Sequence, residues 1–326
     1  MPLTPEHTDG APPILPSFDP RAFGARGDGL ALDTQALQSA IDAISASGGG
    51  RLVLDSGTFV SGTLHLCSNL EVHIAPGAVL SGAPDKNFYS GPADDSNPWL
   101  HALLIGEDLQ NVVFSGTGTI NGHHVFDADG EEGMRGPHLI LLRRCAGVTL
   151  RDLTLRDAAN YAFFFFGCQG VRVENTTFEG GWDGIHFRDV NEGWNSDVQI
   201  NGCTFATGDD AIAGACIEDA SIRNCLINSS CNGVRLIGPL RRFEMTHCRF
   251  EGPGRFPHRT QSRFNMLIGV LVQPGAWGGW PGAVEDVRFA DLEMDGVQCA
   301  FQIAVKEGNT GERITLERIR ATGRTA

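Results

Sequence analysis

The sequence predicts an all-β chain: a right-handed parallel β-helix, or solenoid, closed at its N-terminal end by a short capping helix. Three observations carry this expectation. From about residue 147 a phrase of the form apolar-x-apolar-x-(Asn or Asp)-x-x-(Phe or Leu) recurs, reading GVTLRDLTL, GVRVENTTF, DVQINGCTF, DASIRNCLI, RFEMTHCRF, DVRFADLEM and the partial RITLERIRA. Each copy alternates apolar and polar residues at period two, the pattern of a strand with one buried face. Glycine supplies 42 of the 326 residues, close to twice the usual share of about 7%, so turns are frequent.

The second residues of the copies, Val148, Val171, Val198, Ala220, Phe243, Val287 and Ile314, are separated by steps of 23, 27, 22, 23, 44 and 27 residues. A repeat of this length with two or three short strands cannot bury its inner face alone and must stack on its neighbours. The LxxLxL spacing of leucine-rich repeats is absent, which leaves the parallel β-helix. The step of 44 contains a second apolar run, MLIGVLV, and is expected to hold either an extra coil or a long loop.

The elements follow in order. Residues 1–17, polar and proline-rich, are expected to form a flexible segment, and residues 18–326 a single β-helix domain. DTQALQSAIDAISASGGG sets Ala36, Leu37, Ala40, Ile41 and Ile44 at helical spacing, with Asp33 or Thr34 as cap and Gly48 as stop, so the capping helix is predicted over 33–47. It would cover the first coil, whose exposed edge would otherwise invite aggregation. RLVLDSGTFVSGTLHLCSNLEVHIAPGAVLSG then reads as strand, turn, strand. The chain stops within the strand-like RITLERIRATGRTA, an expected truncation or a point of pairing with something else. Nine cysteines run from Cys67 to Cys299 without a CxxC, which argues for buried free thiols over a zinc or disulfide framework. Cys203, Cys225 and Cys248 each lie five residues after a marker and are read as an inward ladder; Asn175, four after its marker, is read as a turn or bulge.

With 25 Lys+Arg against 39 Asp+Glu, the formal charge of −14 excludes a nucleic-acid partner. No apolar run of about 18 residues exists, so no membrane span is expected. No secretory signal opens the chain, which leaves localisation between cytoplasm and secretion with the signal removed. Oligomeric state is open.

Three carboxylates stand out. Asp183, in GGWDGIHF, lies 12 residues after Val171, and Asp209 and Asp210, in TGDDAIA, lie 11 and 12 after Val198. Equal offsets in adjacent coils bring them to roughly the 4.8 Å spacing of neighbouring strands. Clustered acids raise one another's pKa and retain a proton, the ingredient for a general acid beside a general base. Asp-Gly and Gly-Asp-Asp are also ordinary turn sequences; three acids in one stack, flanked by Trp182 and His186, favour function.

At these residues the sequence resembles glycoside hydrolase family 28, the polygalacturonases and rhamnogalacturonan hydrolases of the pectin lyase-like β-helices. FGARGDG with DTQALQSAIDA and GGG, RGPHLILLRRC, and CTFATGDDAIA carry the resemblance, over most of residues 18–250. It implies inverting hydrolysis of a pectin-like polysaccharide or oligosaccharide without metal or organic cofactor, with Asp209 as acid and Asp183 and Asp210 activating water. It also implies substrate contacts from Asn160, beside Tyr161. The family's Asn-Thr-Asp is here Gly181-Trp182-Asp183, and its Gly-His-Gly corresponds to Cys231-Asn232-Gly233, so a histidine is missing. Its Arg-x-Lys has no counterpart; Arg235 is the replacement expected to hold a carboxylate or a hydroxyl pair. Arg235, Asn232, His186, Asn160 and Trp182 are therefore the expected substrate-binding residues. Arg255, His258, Arg259 and Arg263 form a basic patch read as a solvated loop, Trp277 and Trp280 are either sugar platforms or lid packing, and Phe163 to Phe166 are strand packing. The alternatives are a polysaccharide lyase on the same fold, which would need calcium or a basic group, and a non-catalytic carbohydrate-binding or structural β-helix.

Overall fold

The computed structural model describes residues 15–94, 97–188, 193–276 and 282–323. Trp277 and Trp280 and most of the expected flexible segment lie outside them; Ser17, its last residue, pairs with Arg51 in a strand. Parallel pairing joins the described strands into a 20-stranded and a 9-stranded sheet, wound as a right-handed β-helix. All seven repeat markers pair in one column: Val148 with Val171, then Val198, Ala220, Phe243, Val287 and Ile314. The step of 44 is one coil with a long loop, because Leu240–Thr246 pairs directly with Ala283–Asp295, while the run MLIGVLV contributes Ile268–Val272 to the smaller sheet of that same coil.

The Asn or Asp of the repeated phrase has a backbone cause. Asp152, Asn175, Gly202, Asn224 and His247 take φ of 66°, 48°, 67°, 54° and 55°, the left-handed conformation that short polar residues and glycine tolerate best. Asn175 thus belongs to this turn column, and Thr176 precedes Cys203, Cys225 and Cys248 in the buried column beside it. All nine cysteines are free.

The helix spans Thr34–Ala46, with Asp33 as its N-cap. The Asp33 carboxylate leaves the helix uncapped and accepts from the backbone of Arg26 and Gly27 at 2.7 and 3.0 Å, pinning the preceding turn. Leu37, Ala40, Ile41 and Ile44 are buried in the main core. No helix among the described residues is long and apolar enough to cross a membrane. In Phe163–Phe166 the alternate rings divide: Phe163 and Phe165 enter the solenoid core, while Phe164 and Phe166 join an outer cluster with Tyr161 and Leu141.

Directly behind the acids, the buried rings of Phe178 and Phe205 stack at 4.6 Å and 3°. Phe205→Ala is expected to cost about 3–5 kcal/mol, because the rigid coils cannot collapse around the void; thermal or denaturant unfolding of the variant against wild type measures it.

Candidate active site

The register that stacks the markers also stacks the turns that follow. The amide of Ala162 donates to Asp183 O, that of Gly184 to Asp210 O and that of Ala211 to Asn232 O, at 3.0 to 3.1 Å. Asp183 and Asp210 therefore occupy equivalent positions in adjacent coils, between Tyr161 and Asn232. The turn at Asp209 is tight: a Cβ on Gly208 would lie 2.3 Å from Gly181 O, so only glycine admits this approach. Asp183, Asp209 and Asp210 together line a cavity of about 620 Å³ and are 5%, 9% and 4% exposed.

Arg135 was not singled out by sequence reasoning, yet it organises the site. Its guanidinium, almost fully buried, donates from Nη2 to Asp209 Oδ2 at 2.8 Å and lies 3.9 Å from Asp183 Oδ1. It sits 3.9 Å over the Trp182 ring. It also donates to Asn160 Oδ1 at 3.4 Å and to Glu132 at 3.1 Å. Its signal was available: it opens RGPHLILLRRC, an arginine three residues before the wholly buried strand His138–Arg143. Fourteen surplus negative charges hid the need for a buried cation.

Electrostatics divide the three acids. Burial pushes the Asp209 carboxyl up, but His258 and Arg135 together outweigh it and draw its pKa to about 2. Burial, then the Asp209 charge, raises Asp210 to about 6. Burial, then Asp209 and Asp210, raises Asp183 well above the carboxylate range. Asp209 is thus held as an anion and the retained proton lies with its neighbours, whereas the acid role that the resemblance implies for Asp209 requires the reverse.

The expected substrate contacts separate into two groups. His186 and Arg235 line the cavity. Arg235 lies 4.0 Å from Asp210 and donates to Gln273 at 2.9 Å. Burial, then the Arg188 charge, drives the His186 pKa well down. Arg188 Nε donates to its Nε2 at 2.9 Å, so the proton of the neutral ring is on Nδ1, donated to Asp183 Oδ2 at 2.8 Å. The same ring stacks on Tyr161 at 3.9 Å.

Trp182 and Asn232 depart from expectation. Trp182 is 1% exposed and serves as the platform beneath Arg135, out of reach of a sugar. Asn232 is buried behind Asp210, to which its backbone and side-chain nitrogens donate at 3.0 and 2.7 Å. Both stand in register with the acids, so their side chains complete the wall behind them. Asn160 is buried beside Arg135, in the wall of a second cavity of about 450 Å³ that shares Arg135 and Glu131 with the first.

The basic loop is largely exposed, as expected, at Arg255, but His258 and Arg263 turn inward from it. His258 is buried with Nε2 3.7 Å from Asp209 Oδ1, and its Nδ1 is bonded to Thr260 at 3.1 Å. Arg263 donates to Cys231 Sγ at 3.4 Å on the cavity wall. A histidine thus reaches the acids from the long loop after Gly252, in a chain that lacks one at Cys231-Asn232-Gly233. Asp209, Cys231 and His258 offer one ligand atom each within 4.8 Å of one another; Arg135 on the aspartate and Arg263 on the thiol oppose a cation there.

The comparisons agree with the fold. The profile of the right-handed beta helix region matches residues 113–255. A probable polygalacturonase of Arabidopsis thaliana is 26% identical over 256 residues, covering 68% of this chain and 54% of the relative. The resemblance to the family 28 β-helices stands. This polygalacturonase-like chain spans about half the length of that curated relative. A capsule KN3-specific depolymerase of Klebsiella phage KN3-1 is 56% identical over 197 residues, 59% of this chain and 22% of that protein. Among solved structures, a polygalacturonase from Erwinia carotovora ssp. carotovora shares the fold at TM-score 0.62 and 16% identity, covering 98% of this chain and 96% of that one.

The sign of the Asp210 shift sets a stability test. A carboxyl whose folded pKa of about 6 exceeds its unfolded 3.8 binds its proton more tightly when folded, so its contribution to stability is full below 3.8 and lost as pH rises through 6. Asp210→Asn, which keeps an oxygen for Asn232, is expected to raise the melting temperature by a few degrees at pH 8 and by little at pH 4. Calorimetry at the two pH values measures the difference.

Proposed function

We propose that the chain is a glycoside hydrolase that cleaves a pectin-like or related acidic polysaccharide with the trio Asp183, Asp209 and Asp210. The observation that carries this reading is the buried trio in an open cavity, with Arg135 bonded to Asp209 at 2.8 Å and Arg235 held off at 4.0 Å from Asp210. Arg135 compensates a single negative charge, which leaves the remaining acids to retain a proton.

The chemistry breaks the bond between the anomeric carbon and the bridging oxygen. One carboxyl gives its proton to the departing oxygen, and one carboxylate takes a proton from the water that adds to the anomeric carbon. The ion pair with Arg135 supports Asp209 as the carboxylate that accepts the water proton. The raised Asp210 supports it as the acid, an exchange of roles relative to those the resemblance implies. Asp183 accepts a hydrogen bond from His186 Nδ1 and completes the acidic wall, while burial and the Arg188 charge keep that histidine neutral.

Two measurements test this. With a natural glycan, Asp210→Asn and Asp209→Asn are both expected to lose at least a thousandfold in kcat/KM. On an aryl glycoside with an activated leaving group, which needs no proton, the Asp210→Asn loss shrinks by at least tenfold while the Asp209→Asn loss persists. The opposite pattern would return the acid role to Asp209.

The pH profile gives the second test. An acid titrating near 6 must be protonated to act, so kcat/KM falls tenfold per unit above about pH 6, and the Asp209 anion persists down to about 2. A profile still rising at pH 8 would sink the assignment.

Cys231-Asn232-Gly233, where the family has a histidine, favours a second reading: a carbohydrate-binding β-helix without turnover. Reducing-end release from pectic, neutral and bacterial capsular polysaccharides separates the two, the last being included for the capsule-specific phage relative. Binding without any release of ends would decide for the second reading.

A further inference from the structure

The long loop between Glu251 and Ile268 runs back along the turns of earlier coils. Asn228 holds its base from both sides, donating from Nδ2 to Pro253 O and accepting from the Arg255 amide, each at 2.8 Å. Ser230 donates to Phe256 O. Farther back, a Cβ on Gly208 would lie 2.9 Å from Pro257 O, and one on Gly180 would lie 3.6 Å from the Phe256 ring. Gly208 stands in the coil before Ser230, and Gly180 in the coil before that. At the tip, Arg259 Nη1 donates to His124 Nδ1, so the proton of that ring is on Nε2, which donates to Asp157 Oδ1 at 2.9 Å. His124 and Asp157 follow Asn121 and Arg156, which stand in the two coils preceding that of Gly180.

The return limb closes on the outward one: the His258 amide donates to Arg263 O and the Ser262 amide to His258 O, each at 2.8 Å. The loop is therefore a strap, tied at its base to Asn228 and Ser230 and at its tip to His124 and Asp157. Between these ties it sets His258, Thr260, Gln261 and Arg263 into the wall of the larger cavity. His258 points farthest in. Its ring meets Trp182 edge-on at 6.1 Å, and its Nε2 lies 3.7 Å from Asp209 Oδ1. Arg135 engages the other oxygen, Oδ2, which leaves Oδ1 to take a proton from water. A gap of 3.7 Å is too long for a direct hydrogen bond, and short enough for one water to be bonded to both atoms.

We propose that His258 is a further residue of the reaction, orienting with Asp209 Oδ1 the water that attacks, and that Arg259, bonded to His124 and through it to Asp157, is the latch that keeps His258 in place. This rests on the hydrolase reading above, with Asp209 as the base. In the step, the water passes a proton to Asp209 Oδ1 while its oxygen bonds the anomeric carbon, and the bridging oxygen leaves with the Asp210 proton. His258 supplies a hydrogen bond to the water and ends with the protons it began with. Arg259 touches neither water nor sugar; it is a positioning residue that acts through His258.

The test is a double-mutant cycle on the full chain with His258→Ala, Arg259→Ala and the two combined. His258→Ala is expected to lower kcat about a hundredfold and to change KM by less than about threefold, because the sugar contacts stay and only the aim of the water is lost. Arg259→Ala is expected to lower kcat about tenfold, and the double variant to match His258→Ala within about twofold, since a latch that acts through His258 adds nothing once that ring is gone. Amide hydrogen exchange, which needs no substrate, is expected to speed about tenfold over residues 255–263 in Arg259→Ala and to keep the wild-type rate in His258→Ala. A His258→Ala kcat within about threefold of wild type, losses that add in the double variant, or exchange unmoved by Arg259→Ala would overturn the inference and leave the hydrolase reading standing. A wild-type chain that releases no reducing ends from any glycan would overturn that reading and the role of His258 with it.

Discussion

Parallel, in-register stacking is the constraint on which this molecule depends. Each coil contributes a backbone edge that only the next coil can satisfy, and a register error of one residue would turn every buried side chain outward. Val148, Val171, Val198, Ala220, Phe243, Val287 and Ile314 therefore form one column. The left-handed turn residues and the Thr176, Cys203, Cys225 and Cys248 side chains form others. Variation in coil length, such as the 44-residue step, is relegated to loops because the columns cannot absorb it.

The same constraint produces the candidate site. Once Val171 and Val198 are paired, the turns that follow them are paired too, and Asp183 and Asp210 are held in adjacent coils. Their proximity costs stability through burial and mutual repulsion. Arg135 over Trp182, with His258 from the long loop, offsets part of that cost at Asp209 and leaves the remainder as a proton-retaining pair of acids. An environment that separates the proton affinities of neighbouring carboxyls is what acid and base chemistry at one centre requires.

The site was legible to different depths. The acids were readable because their offsets from the repeat markers agree within one residue, and His186 and Arg235 because they follow on strands of the same repeat. Trp182 and Asn232 were placed one layer too far forward. Sequence adjacency put them beside the acids, and only burial shows that they form the wall behind. Arg135 and His258 were missed as partners of the acids, since they arrive from a segment before the central coils and from a loop after them.

By itself the sequence determined the solenoid, the capping helix and the stacking of the acids, because local periodicity and equal spacing fix which residues share a face and a column. Tertiary structure alone decided how the acids divide their proton. That outcome depends on which charges reach them through space, and Arg135 and His258 lie 74 and 49 residues away from Asp209 along the chain.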